Sequence, residues 1–185
     1  MPAKVTDVER FTLVVPFVDR VRLEMERAGV HTWSELEITR VITDAGVVGY
    51  GETIQNYTWG RVQAAERVVG RPPAESMWDD SLGAGLQMAL FDAAGKLAGV
   101  PIYRLLGSKC RDWCPMSFWD HDMSPEKYEV EAQVAADLGY TCMKIKTRPW
   151  FDVRETVERI SKVTPDHFAI DADWNAFLNN VSNAV

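Results

Sequence analysis

The chain is poor in the features that mark several common classes of protein. It has three cysteines, Cys110, Cys114 and Cys142, an odd number without the CxxC spacing of zinc or redox sites. That excludes a disulfide scaffold, and reduced, buried thiols are expected. No stretch approaches the roughly 18 apolar residues of a membrane span. The opening Met1-Pro2-Ala3-Lys4-Val5 lacks the apolar run of a signal peptide, so a cytoplasmic location is expected. Lys and Arg number 20 against 27 Asp and Glu, a formal net charge of −7, and they do not cluster, which argues against a nucleic-acid partner. The glycines of Gly46 to Gly51 and Gly83 to Gly85 do not follow a phosphate-binding spacing, so no nucleotide site is expected. What remains is a globular composition, 46% hydrophobic and 25% charged, suited to a small-molecule partner.

Hydrophobic periodicity divides the chain. Val5 to Val15, Ser34 to Thr43 and Val47 to Thr53 read as strands, with Thr43-Asp44-Ala45-Gly46 as a turn, which predicts a three-stranded antiparallel meander. Pro16 to Trp33 is too long for a tight hairpin and is expected to be a functional loop, with a second loop at Gln55 to Gly60. Arg61 to Val69 and Ser81 to Leu97 turn helical; Leu82, Leu86, Leu90 and Ala94 lie four apart, and Gly99 with Pro101 is a stop signal. After Lys109 strand alternates with helix, the rhythm of β-α units on a parallel sheet. Cys114 to Trp119, Tyr140 to Lys146 and His167 to Asp173 are the candidate strands. One helix opens at Ser124-Pro125 and runs to Leu138; another opens at Asp152, with Glu155 three residues on.

Chemistry concentrates at two strand ends. Lys144 and Lys146 share one strand face, as do Asp171 and Asp173, because alternate residues point the same way. Charges on an inner face near strand ends are what the active rim of a (β/α)₈ barrel requires. His121, Asp122, Arg148 and Trp150 continue from candidate strands into loops at that rim. His167 begins a strand and reads as structural.

Further segments join these: Val48-Gly49-Tyr50-Gly51-Glu52-Thr53, Ala89 to Lys96, and Gly99 to Gly107 with its Val100-Pro101-Ile102-Tyr103. Together with the Lys-x-Lys and the Asp173-Trp174-Asn175 motif, their order resembles the enolase superfamily, specifically the mandelate racemase and muconate lactonizing enzyme group. The resemblance implies an α+β capping domain over residues 1–109 and, over residues 110–185, about the first three β-α units of a TIM-type barrel. It implies Mg²⁺ as cofactor, gripping a substrate carboxylate while a base removes the α-proton. Lys146 becomes the candidate base with Lys144 beside it. Asp173 becomes the metal ligand, with Asp171 as the alternative. Asn175, His31, Tyr57, Trp59 and Arg148 become candidate substrate contacts.

The activity that the resemblance implies is acid-sugar dehydration, with racemase, epimerase or cycloisomerase chemistry as the alternative. The implied partner is a small carboxylate, a sugar acid in the first case, and a homo-oligomer is expected. Because a full barrel takes about 250 residues, a fragment or a part of a longer protein is also expected. A non-catalytic interaction module is the reading of a different class.

Overall fold

The structure, a computed structural model, describes residues 2–29, 31–54 and 62–176; of His31, Thr32, Val62 and Gln63 only the backbone is described. Packing divides the chain into two units, Met1–Pro16 with Thr32–Asp112 and Phe17–His31 with Trp113–Val185.

In the first unit, β1 (Val5–Val14) pairs antiparallel with β2 (Glu35–Thr43), which pairs antiparallel with β3 (Val48–Ile54). The meander expected from alternation is therefore present. Gly46, at φ +73°, closes the β2–β3 turn and donates its N–H to the Thr43 carbonyl at 3.0 Å. The segment Pro16 to Trp33, expected to be a loop, is instead largely helical: α1 (Asp19–Arg27) occupies its centre, and a 3₁₀ turn, His31–Ser34, leads into β2. Val21 and Met25, four apart, are buried and supply the apolar stripe that a reading for strands passes over.

A single-turn α2 (Pro73–Ser76) precedes α3 (Ala84–Ala98), which is succeeded by a short α4 (Tyr103–Leu106). The expected helix at Arg61 to Val69 is a 3₁₀ segment, Val62–Arg67. Helix α3 ends where the sequence signals a stop: Gly99 is left-handed at φ +66°, and Val100 N–H reaches back to the Gly95 carbonyl at 2.9 Å. Leu82, Leu86, Ala89, Leu90 and Ala93 are fully buried with Val5, Val41 and Val68. The α3 backbone lies directly against β3, so a Cβ on Gly49 would collide with the Ala89 carbonyl oxygen and one on Gly51 with that of Gly85.

The second unit holds a parallel sheet in the order β4-β5-β6, with β4 (Phe118–Trp119), α5 (Pro125–Asp137), β5 (Cys142–Lys146), α6 (Val153–Val163) and β6 (Ala169–Asp173). Strand β4 is far shorter than the expected Cys114 to Trp119; Met116 is exposed and the pairing starts only at Phe118. Pro125 stands in the first turn of α5, and Asp152 caps α6 by accepting from the N–H groups of Arg154 and Glu155 at 2.8 and 3.2 Å. Met143 and Ile145 of β5, Tyr128, Ala132 and Ala135 of α5, and Ile160 of α6 are fully buried. Between the helices, Arg159 of α6 binds Glu129 and Glu126 of α5 at 2.8 and 3.3 Å, and within α6 it binds Glu155 at 2.8 Å. Helix α1 belongs to this unit, where Arg20 meets Glu131 and Lys127 meets Glu24.

Cys110 and Cys114 are exposed and Cys142 partly so, which corrects the expectation of buried thiols; all three are free. Among the described residues no helix is long and apolar enough to cross a membrane.

Gly51→Ala is expected to lower stability by about 2–3 kcal/mol in urea unfolding, since overpacked backbone contacts cannot relax as side chains do. Glu52→Ala, one residue on and exposed, should stay within about 0.5 kcal/mol.

Candidate active site

The parallel register of β5 on β6 sets Lys144 opposite Asp171 and Lys146 opposite Asp173. Both lysines converge on one carboxylate oxygen: Asp173 Oδ2 lies 2.7 Å from Lys146 Nζ and 2.8 Å from Lys144 Nζ. Lys146 is buried, its side chain 8% exposed, whereas that of Lys144 is 34% exposed. The hydrogen bonds from the two lysines, with one from Asn175 N–H, hold the Asp173 carboxyl well below the usual carboxylate range. Asp173 is therefore ionised at neutral pH.

Just past β6 the backbone turns left-handed at Asn175 (φ +46°), a conformation asparagine tolerates. The turn brings Asn175 N–H to Asp173 Oδ1 at 2.9 Å and Asn175 Oδ1 to Lys146 Nζ at 2.6 Å. Arg148, two residues beyond β5, donates from Nη1 to the same Asn175 oxygen at 3.4 Å and from Nε to Asp122 at 3.0 Å. It is a buried ion-pair member, not a surface charge. Asp171, the alternative ligand, is exposed and takes no part in this set of bonds.

His121 and Asp122, expected simply to open a loop before Ser124, are instead drawn into the unit. His121 is 6% exposed, edge-on to Trp119 with ring centroids 5.9 Å apart, and burial lowers its pKa against the opposing pull of Asp122. His167 is exposed in the turn before β6, which starts at Ala169 rather than at the expected His167. Tyr57 and Trp59 lie outside the described residues, as does the side chain of His31.

Two features are not evident from the sequence. Tyr128, 1% exposed on α5, bonds through its phenol oxygen to the backbone of His121 and Lys146; the available signal is a tyrosine on an apolar helix face, whose hydroxyl must find a partner. The other is a pair of buried carboxyls, Asp120 and Glu131, each 3% exposed. Arg20 Nε donates to both Glu131 oxygens at 2.8 and 3.0 Å, and its guanidinium lies over the Phe118 ring at 5.7 Å. One guanidinium cannot offset two buried charges, so burial first, and the Glu131 charge second, push the Asp120 carboxyl up to about 8.

A cavity of about 550 Å³ in the same unit is lined by Glu24, Arg27, Asp122, Lys127, Trp150 and Phe151. Lys146 and Asp173 do not line it.

Mg²⁺ takes hard oxygen donors, and the ionised carboxylate of Asp173 is of that kind. Among the described residues no group of three or more His, Cys, Asp or Glu could enclose a metal ion. The residues present thus fit one part of such a site.

No family model matches the chain. It is 33% identical over 135 residues to D-xylonate dehydratase of Haloferax volcanii, covering 58% of this chain and 32% of that protein. To N-succinyl-L-Arg/Lys racemase of Bacillus cereus it is 25% identical over 173 residues, 80% of this chain and 46% of that protein. Two solved structures from Roseovarius nubinhibens superpose on it with a TM-score of 0.67. One, a mandelate racemase/muconate lactonizing enzyme, is 22% identical and covers 98% of this chain, which spans 54% of it. The other, an enolase superfamily member complexed with magnesium, is 20% identical and covers 94%, the chain spanning 53% of it. The chain shares its fold with these enolase superfamily structures over the part of them that it spans. The structural neighbours include the mandelate racemase and muconate lactonizing enzyme group that the motifs resemble, and the curated relatives include dehydratases and a racemase. The chain spans about half the length of these solved structures and less than half of either curated relative.

Because the Asp120 carboxyl is raised from 3.8 to about 8 on folding, its contribution is fully present below pH 4 and is lost as pH rises through 8. Asp120→Asn should therefore flatten the decline of urea-unfolding stability between those values. An unchanged pH profile would show that the pair does not share a proton.

Proposed function

We propose that this chain is the capping region and the first β-α units of a Mg²⁺-dependent enzyme that removes the proton α to a carboxylate, acting as an acid-sugar dehydratase. The observation that carries the reading is the Lys146 amine, buried at a parallel strand end, 2.7 Å from an ionised aspartate with a second lysine on the same oxygen. The relatedness to D-xylonate dehydratase supports the choice of reaction.

In this reading Lys146 takes the α-proton, and Lys144 supplies a second positive charge beside it that opposes protonation of its neighbour. Asp173 is a metal ligand. The bound Mg²⁺ would stabilise the negative charge that develops on the substrate carboxylate. Asn175 orients the Lys146 amine, and Arg148 holds Asn175 while itself fixed by Asp122. Loss of the β-hydroxyl with a proton, as water, leaves an enol that becomes the 2-keto acid. His31, Tyr57 and Trp59 are proposed as further substrate contacts.

Racemisation is the second reading, favoured by the N-succinyl-L-Arg/Lys racemase relative, which matches 80% of this chain. The two share the first proton transfer and part at the second step: a racemase returns a proton to the opposite face, whereas a dehydratase expels water.

The test is proton NMR of a sugar-acid panel in deuterium oxide with the whole protein and Mg²⁺. The α-proton signal should be lost together with formation of a 2-keto acid, and Lys146→Ala should slow the loss about a thousandfold. Exchange at the wild-type rate in that variant would remove Lys146 from the role of base; exchange with inversion and no keto acid would favour the racemase.

Saturating Mg²⁺, at about a hundredfold its Kd, should stabilise the protein by about 2.7 kcal/mol by mass action. Asp173→Asn should abolish that gain in a thermal melt, and an equal gain in the variant would place the metal elsewhere.

A further inference from the structure

Strand β4 pairs only through Phe118 and Trp119, while β5 continues to Lys146. In a parallel ladder, alternate residues direct both backbone groups to the same neighbour. Thr147 N–H reaches β6 at the Asp173 carbonyl, 3.0 Å away, and the Lys144 carbonyl faces β4, where Asp120 N–H meets it at 3.5 Å. The N–H and C=O of Lys146 therefore face the side on which β4 has already left the sheet. An unpaired buried backbone N–H there would cost about 1–3 kcal/mol.

The phenol of Tyr128 fills the gap. Its oxygen accepts Lys146 N–H at 2.9 Å, donates to the His121 carbonyl at 2.8 Å, and lies 3.2 Å from the Lys146 carbonyl. One side-chain oxygen thus replaces a ladder rung, joining the end of β5 to the loop after β4. That loop also carries Asp122, the partner of Arg148. The chain can leave the sheet early, bringing His121 and Asp122 to the rim, and Lys146 still has a fixed backbone.

We infer that Tyr128 is a positioning residue for Lys146, its hydroxyl serving as a surrogate rung that sets the backbone from which the amine projects. The inference rests on the proposed role of Lys146 for its catalytic meaning, and on the three hydrogen bonds alone for its structural one. Tyr128 acts only through the main chain of Lys146 and His121, and the ring itself is core.

The test is Tyr128→Phe in the whole protein, which keeps the ring volume and removes the oxygen. Amide hydrogen exchange resolved by NMR should show Lys146 N–H losing protection at least tenfold, while Thr147 N–H, bonded to β6, keeps its own. In the α-proton exchange assay, kcat should fall about tenfold or more with KM unchanged, the mark of a displaced base rather than a lost binding contact. Unchanged protection at Lys146 would overturn the inference. So would an equal loss at Lys146 and Thr147, which would mean general loosening. If the wild type exchanges no α-protons, the enzyme reading fails, and the amide data alone then decide the anchor. Should the variant not fold, wild-type exchange decides: protection of Lys146 N–H matching Thr147 supports the rung, and fast exchange overturns it.

Discussion

The pairing of β5 with β6 in parallel register is the constraint on which the candidate site depends. It brings Lys146 opposite Asp173 and leaves two lysines on one carboxylate oxygen. A slip of one residue would turn Lys144 and Lys146 toward the helices and bury two amines among apolar side chains such as Ile160. The apolar residues of β5 thus enforce the position of the polar ones, because the complete burial of Met143 and Ile145 fixes which face the lysines occupy. Electrostatics then completes what packing began. Asp173 is ionised by its cationic neighbours, and Asn175, by adopting a left-handed turn, closes a ring of bonds around the Lys146 amine.

A second layer of polar contacts holds this arrangement from outside. Arg148 spans Asp122 and Asn175, tying the loop after β4 to the turn after β6. The Asp120, Glu131 and Arg20 group does the same for α1, whose sequence neighbours lie in the other unit. In the first unit the controlling constraint differs in kind: backbone approaches backbone at Gly49 and Gly51, and only residues without a Cβ admit it.

Much of the fold is legible in the sequence because its signals are local. The meander comes from alternation and the Thr43 to Gly46 turn, the end of α3 from Gly99 and Pro101, and the start of α6 from Asp152. The sharing of a face by Lys144 and Lys146 needs only a period of two. What a local reading misses depends on distant partners. Helix α1 has few apolar residues, and beside buried Val21 and Met25 its docking uses Arg20, whose partner Glu131 lies far along the chain. The brevity of β4 reflects a loop satisfied by Tyr128 and Arg148 rather than by strand pairing, and no local pattern in Cys114 to Trp119 shows that. The preference for Asp173 over Asp171 as partner of the lysines likewise waits on register, since both share a face in the sequence.

Whether the Lys146 and Asp173 cluster is where an α-proton is removed is decided most directly by a crystal structure of the whole protein with Mg²⁺ and a sugar acid. Mg²⁺ should sit on Asp173, the substrate carboxylate on the metal, and the substrate α-carbon about 3–3.5 Å from Lys146 Nζ, as a near-attack geometry requires. A sugar acid bound away from this cluster, with Lys146 still closed on Asp173, would contradict the assignment.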